Sequence, residues 1–112
     1  MLKILRKLMK NTYRQIQEGD IFFNELKEKV NKGAILLDVR SPQEYEEGHL
    51  DGAILIPDYE CKSRINEIEK YKNSTVIVYC RSGSRSRKVY KFLKENNFKD
   101  VYNLYGGLER VL

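Results

Sequence analysis

Residues 80–85 read Cys-Arg-Ser-Gly-Ser-Arg, and this is the segment of the chain whose residue types and spacing best suit nucleophilic chemistry. It follows the β-branched run Thr75–Tyr79 and precedes a stretch with helical apolar spacing at Val89, Phe92 and Leu93. A loop between a strand and a helix can turn successive backbone N–H groups toward one point, where the helix N-terminus adds partial positive charge. Gly83 supplies conformational freedom for such a turn, Ser82 and Ser84 keep it uncrowded, and Arg81 and Arg85 add cationic charge. A cysteine at its centre is expected to be available as thiolate at neutral pH. The same N–H array would hold a Cys–S–S⁻ persulfide or a bound oxyanion, and the planar fork of arginine suits either anion. The plainer alternative is a buried structural cysteine at a strand end, a common place for this residue type. That alternative accounts poorly for two arginines and a run of small residues around it. Cys80 is therefore read as the nucleophile, with Arg81, Ser82, Gly83, Ser84 and Arg85 forming its anion-binding loop.

Such a loop needs a sheet to carry it, and the pattern of the chain supplies one. Residues 34–39 form an apolar run, broken only by Asp38 and closed by a polar turn, as expected of a strand buried on both faces. Residues 53–56, Thr75–Tyr79 and residues 101–104 read as further strands, and residues 13–16 as a short first one. Between them lie helical patterns. One is capped by Asp20 and runs to about Lys32, with Gly33 as its stop. One is opened by Ser41-Pro42-Gln43-Glu44, a capping box with proline at the first helical position, and ends near Gly48. One spans about residues 61–71 with Ile65 and Ile68 inward, and one runs from about residue 86 to 96. Alternating strands and helices imply an α/β domain with a mainly parallel sheet, in which ligands sit beyond the carboxyl ends of the strands. Cys80 occupies one of those ends.

Length and composition are consistent with that domain. The chain has 112 residues, 41% hydrophobic and 33% charged, a balance typical of a globular domain. The formal net charge is +5, and residues 1–14 hold Lys3, Arg6, Lys7, Lys10 and Arg14 without an acid. The rest of the chain is charge-balanced, so the excess marks a basic arm of residues 1–12 ahead of a domain of residues 13–112. A nucleic-acid-binding role is not expected, because such domains spread basic residues over a folded face. Two cysteines are too few for a disulfide scaffold, and charges interrupt the apolar residues of the N-terminus, so a cytoplasmic location is the default expectation.

In this setting the loop Cys80-Arg81-Ser82-Gly83-Ser84-Arg85 resembles the active-site loop of single-domain rhodaneses. Three further segments agree in order: Leu37-Asp38-Val39-Arg40-Ser41-Pro42-Gln43-Glu44-Tyr45, then Gly48-His49-Leu50-Asp51-Gly52-Ala53, then Tyr105-Gly106-Gly107-Leu108. The resemblance implies a rhodanese-like fold with a central, mainly parallel five-stranded sheet flanked by helices on both faces. It implies a sulfurtransferase that moves sulfane sulfur from a donor such as thiosulfate to a thiophile, either a thiol or cyanide, through a Cys80 persulfide, without a cofactor. A sulfur-accepting protein is a further candidate partner. It also implies that Asp38 hydrogen-bonds the Cys80 loop and that Arg40 pairs with a nearby acid such as Glu47, both as supports. The chain lacks the Trp that family members often carry after the glycine pair; Val111 stands near that place, and any closing helix must be short or absent.

The remaining chemistry-bearing residues are weighed more plainly. His49, the single histidine, could be a general base but is read as fixing the turn before Ala53. No metal-ligand set exists. Cys61 lies in a polar helical stretch and is read as a bystander, with a resolving thiol as the minority reading. The arm is read as packing on its own domain or fraying; membrane-surface contact is the alternative. Two rivals to the sulfurtransferase stand: a non-turnover persulfide carrier or interaction module, and a Cys-dependent phosphatase or arsenate reductase. Those last families place five residues between Cys and Arg, whereas four separate Cys80 from Arg85.

Overall fold

The computed structural model describes residues 15–111. Five strands form one sheet: β1 Asp20–Ile21, β2 Ile35–Asp38, β3 Ile54–Leu55, β4 Thr75–Tyr79 and β5 Asp100–Leu104. Their order is β1-β5-β4-β2-β3, and every neighbouring pair is parallel. The helices are α1 Phe23–Asn31, α2 Pro42–Glu47, α3 Cys61–Arg64 and α4 Ser84–Glu95.

The strand pleat sorts side chains into two cores. Val76, Val78 and Cys80 point to one face, where Val89, Tyr90 and Leu93 of α4 join Cys61, Ile68 and Phe98. Ile77 and Tyr79 point to the other, against Ile21, Leu26 of α1 and Leu108. Val78, Ile77 and Tyr79 are fully buried, as the apolar central strand requires of a sheet covered on both sides.

Local signals placed α2 well. The Ser41 hydroxyl accepts from the Glu44 N–H at 3.2 Å, and Glu44 accepts from the Ser41 N–H at 3.1 Å, completing the expected box. Elsewhere tertiary pairing overrode local preference. Asp20 is not a helix cap: it lies in β1, paired with Asn103 of β5, and its carboxylate is held by Arg87 and the Asn103 amide. The first strand is correspondingly at Asp20–Ile21. Of the expected strand at 13–16, Gln15 and Ile16 are exposed and belong to no strand, and the other two residues lie outside the described ones, as does the basic arm of residues 1–12. The helix expected over 61–71 breaks after Arg64 into 3₁₀ turns at Ile65–Glu67 and Glu69–Tyr71. Ile65 and Ile68, three residues apart, eclipse on one side of such a turn and so reach the same core. The closing segment is a single 3₁₀ turn, Leu108–Arg110.

Candidate active site

Cys80 directly follows β4, at the carboxyl end of the sheet, and is 1% exposed. The chain then reverses through Arg81-Ser82-Gly83 into α4. Gly83 has φ +101°, a left-handed conformation that a side chain would strain. That turn brings three donors to one sulfur. The Gly83 N–H lies 3.1 Å from Cys80 Sγ, the Ser86 N–H 3.4 Å and the Ser86 hydroxyl 3.3 Å. They surround the sulfur at the positive end of a twelve-residue helix, an arrangement that favours negative charge on sulfur.

The loop is fastened from behind by the glycine pair. Leu108 N–H donates to the Cys80 carbonyl at 2.9 Å, and Glu109 N–H to the Arg81 carbonyl at 2.9 Å. Gly107 makes this approach possible: its φ is +66°, and a Cβ there would meet the Arg81 carbonyl at 2.5 Å and the Cys80 oxygen at 2.7 Å. The Tyr105-Gly106-Gly107-Leu108 segment thus belongs to the site through its backbone.

The flanking arginines differ. Arg81 is exposed at the rim of the loop. Arg85, expected to aim at the loop or its anion, instead pairs with Glu44 of α2: Nη1 to Oε1 at 2.8 Å and Nη2 to Oε2 at 3.0 Å. The Arg85 guanidinium and the Ser41 donors hold the Glu44 carboxyl down at about 2. Ser82 and Ser84 line the outer side of the turn, beside Arg87 and Lys88.

The second layer is also rearranged. Asp38, fully buried, accepts from Arg40 at Nε and Nη2, the shortest contact being 2.7 Å. Arg40 reaches the Gly48 carbonyl at 2.6 Å with the same Nη2. The expected Arg40 pair with Glu47 is therefore not formed, and Asp38 spends its carboxylate on Arg40 and not on the Cys80 loop. The reason is distance along the chain: two residues after β2, Arg40 folds back onto the carboxylate that ends the same strand, while exposed Glu47 turns toward Gln43 at 3.4 Å. His49 stacks on Tyr45 with ring centroids 3.6 Å apart and bonds its carbonyl through Nδ1 at 2.8 Å, in the turn ahead of Ala53.

Cys61, which opens the four-residue α3, lacks the ring of donors found around the Cys80 sulfur. Burial pushes its thiol up to about 11, and it donates weakly to the Ile56 carbonyl at 3.6 Å. Among the described residues no cluster of His, Cys, Asp and Glu could hold a metal ion, and no helix is long and apolar enough to cross a membrane. Two contributors escaped the sequence reading, Ser86 and Glu44. Ser86 was legible in principle, because a helix begun at Ser84 rather than near 86 places its third residue over the loop. Glu44 was seen only as a cap.

A buried, helix-end cysteine ringed by N–H donors on a five-stranded parallel sheet defines a class, and comparison with known proteins agrees. Residues 22–112 match the rhodanese-like domain family, and the chain belongs to it. It is 41% identical over 75 residues to the thiosulfate sulfurtransferase PspE of Escherichia coli (strain K12), covering 67% of this chain and 71% of that protein. It is 38% identical over 82 residues to the tRNA uridine(34) hydroxylase of Buchnera aphidicola, covering 70% of this chain but only 26% of that protein. The chain thus spans about a quarter of that longer relative. The crystal structure of a rhodanese-like domain protein from Staphylococcus aureus superposes with a TM-score of 0.72 at 32% identity, covering 80% of this chain and 87% of that one.

Proposed function

We propose that this protein is a sulfurtransferase that takes sulfane sulfur from a small donor such as thiosulfate and passes it to a thiophile through a Cys80 persulfide. The observation that carries this reading is the triad of donors on Cys80 Sγ, from Gly83 N–H, Ser86 N–H and Ser86 Oγ. In the first half-reaction the Cys80 thiolate attacks the outer sulfur of thiosulfate. The donor's S–S bond breaks, sulfite leaves with the bonding pair, and Cys80–S–S⁻ remains. The donors that face the thiolate then serve the new terminal sulfur, so charge is stabilised on both sides of the transfer. In the second half-reaction cyanide or a thiolate attacks that terminal sulfur, and the pair released returns to Cys80 as thiolate. Arg81, at the rim, is placed to recruit the anionic donor. The similarity to a thiosulfate sulfurtransferase supports thiosulfate as the first donor to try.

A phosphatase reading is weaker, because four residues separate Cys80 from Arg85 and the Arg85 fork is directed at Glu44. Intact mass spectrometry after incubation with thiosulfate tests the proposal. The expected result is a gain of one sulfur in wild type and Cys61→Ser, removed by cyanide, and no gain in Cys80→Ser. A gain that survives Cys80→Ser would overturn it. Loading without steady-state turnover to any small thiophile would instead indicate a carrier that serves a protein acceptor.

A further inference from the structure

Arg85 would ordinarily be counted as an anion clamp for the Cys80 loop, but its fork is already filled. Both terminal nitrogens of the guanidinium face the Glu44 carboxylate, at 2.8 and 3.0 Å. Glu44 is anchored independently: it accepts from the Ser41 N–H and the Ser41 hydroxyl, each at 3.1 Å. The carboxylate is thus positioned by the α2 cap, from an element 41 residues away from Arg85 in the chain. Arg85 nonetheless lies in the first turn of α4, one residue before Ser86, whose N–H and hydroxyl face the Cys80 sulfur. The pair places no net charge beside the cradle, and it removes the two-point edge with which arginine clasps tetrahedral oxyanions.

We propose that Glu44 is a positioning residue that sets the anion selectivity of the Cys80 cradle. By occupying the Arg85 fork it leaves the loop suited to a single anionic sulfur and poor at holding a tetrahedral oxyanion such as sulfate, phosphate or arsenate. The proposal builds on the reading of Cys80 as a sulfur acceptor, in which an oxyanion product must depart after each transfer. Removing the Glu44 charge would free Arg85 to turn toward the loop, adding both a positive charge and a bidentate donor where the anion sits. Glutamine at position 44 keeps a side chain that can complete the capping box, so α2 should persist.

Protection of Cys80 from alkylation tests this without requiring turnover. The rate of iodoacetamide labelling at Cys80, located by peptide mass mapping, is measured against increasing phosphate or sulfate at constant ionic strength. The proteins are wild type, Glu44→Gln, Glu44→Asp, Arg85→Ala and the Glu44→Gln/Arg85→Ala double variant, each checked for folding by thermal unfolding. The expected result is a protection midpoint about tenfold lower in Glu44→Gln, the scale of one added charge-assisted contact. Glu44→Asp should stay near wild type, and the double variant should lose the gain. Arg85→Ala alone should bind oxyanions no better than wild type, because it leaves the Glu44 carboxylate uncompensated beside the cradle. An unchanged midpoint in folded Glu44→Gln, or a gain that persists without Arg85, would overturn the proposal. So would protection markedly weaker in the charge-neutral double variant than in wild type, because Arg85 would then be clasping anions in the native site; tighter protection in Arg85→Ala alone would overturn it as well, and that arm decides even if the glutamine variants do not fold. Sulfur loading of the wild-type sample by thiosulfate, followed by mass, reports separately on the sulfurtransferase reading.

Discussion

The Ser86 hydroxyl lies 3.3 Å from Cys80 Sγ and equally 3.3 Å from the Gly83 carbonyl. A hydroxyl has one proton, so it can donate to only one of these at a time. Facing a thiol, the carbonyl is the better acceptor; facing a thiolate or persulfide, the charged sulfur is. Ser86 is thereby expected to donate to sulfur when charge resides there and to the Gly83 carbonyl when it does not, with no backbone movement required.

Ser86→Ala should therefore slow persulfide formation by about tenfold, equivalent to ~1.4 kcal/mol, because the backbone donors from Gly83 and residue 86 remain. The fold should be retained, since a small apolar side chain fits the same buried position. Single-turnover loading with thiosulfate, followed by intact mass, gives the rate. A wild-type rate in this variant would mean that the hydroxyl stays on the Gly83 carbonyl throughout.

The two cysteines should differ sharply in reactivity. Both thiols are buried, but that of Cys61 is raised by burial to about 11, so little thiolate forms there at neutral pH. Labelling of the native protein at pH 7 should modify Cys80 first, and Cys61 only as the protein unfolds. Cys61→Ala should cost about 1 kcal/mol of stability through lost packing while leaving sulfur loading intact. Equal labelling of both thiols in folded protein would contradict the assignment of Cys61 as inert core.

Gly107→Ala should damage both stability and chemistry. Its Cβ would meet backbone atoms of Arg81 and Cys80 at 2.5–2.7 Å, and those atoms cannot rotate away. With φ at +66°, strain adds to the clash. A loss of about 2 kcal/mol or more is expected in urea unfolding, together with slowed sulfur loading as the Leu108 and Glu109 hydrogen bonds to the loop loosen. Normal loading in a destabilised variant would separate the two effects and relegate the glycine pair to packing.

The Glu44–Arg85 pair carries a pH signature. Folding lowers the Glu44 carboxyl from 4.5 to about 2, so the unfolded chain binds its proton first as acid is added. The stabilisation is complete above about pH 5 and fades as pH falls toward 2. With the Arg85 side chain 34% exposed, solvent screening limits it to about 1–2 kcal/mol. Glu44→Gln should be less stable than wild type by that amount at pH 7, and the gap should close on acidification. Urea denaturation at pH 7, 4 and 3 measures it; a gap that stays constant would show that Glu44 stabilises through packing or capping instead of charge.

Local rules carried much of this protein. The Ser41–Glu44 box, the apolar strand Thr75–Tyr79 and the loop from Cys80 to Arg85 are each written in a few adjacent residues, because caps, strand periodicity and tight turns depend on neighbours in the chain. The sequence alone therefore determined that a cysteine would end a buried parallel strand at the start of a helix. It could not determine which charges would meet. β2 and β4 are neighbours in the sheet, so the segments that follow them lie side by side, and that adjacency brings Glu44 to Arg85. Asp38 took Arg40, and Asp20 left its expected cap to join β1 and hold Arg87, for the same kind of reason. A buried or half-buried charge takes the partner that the topology sets within hydrogen-bond reach, and only the tertiary structure decides which one that is.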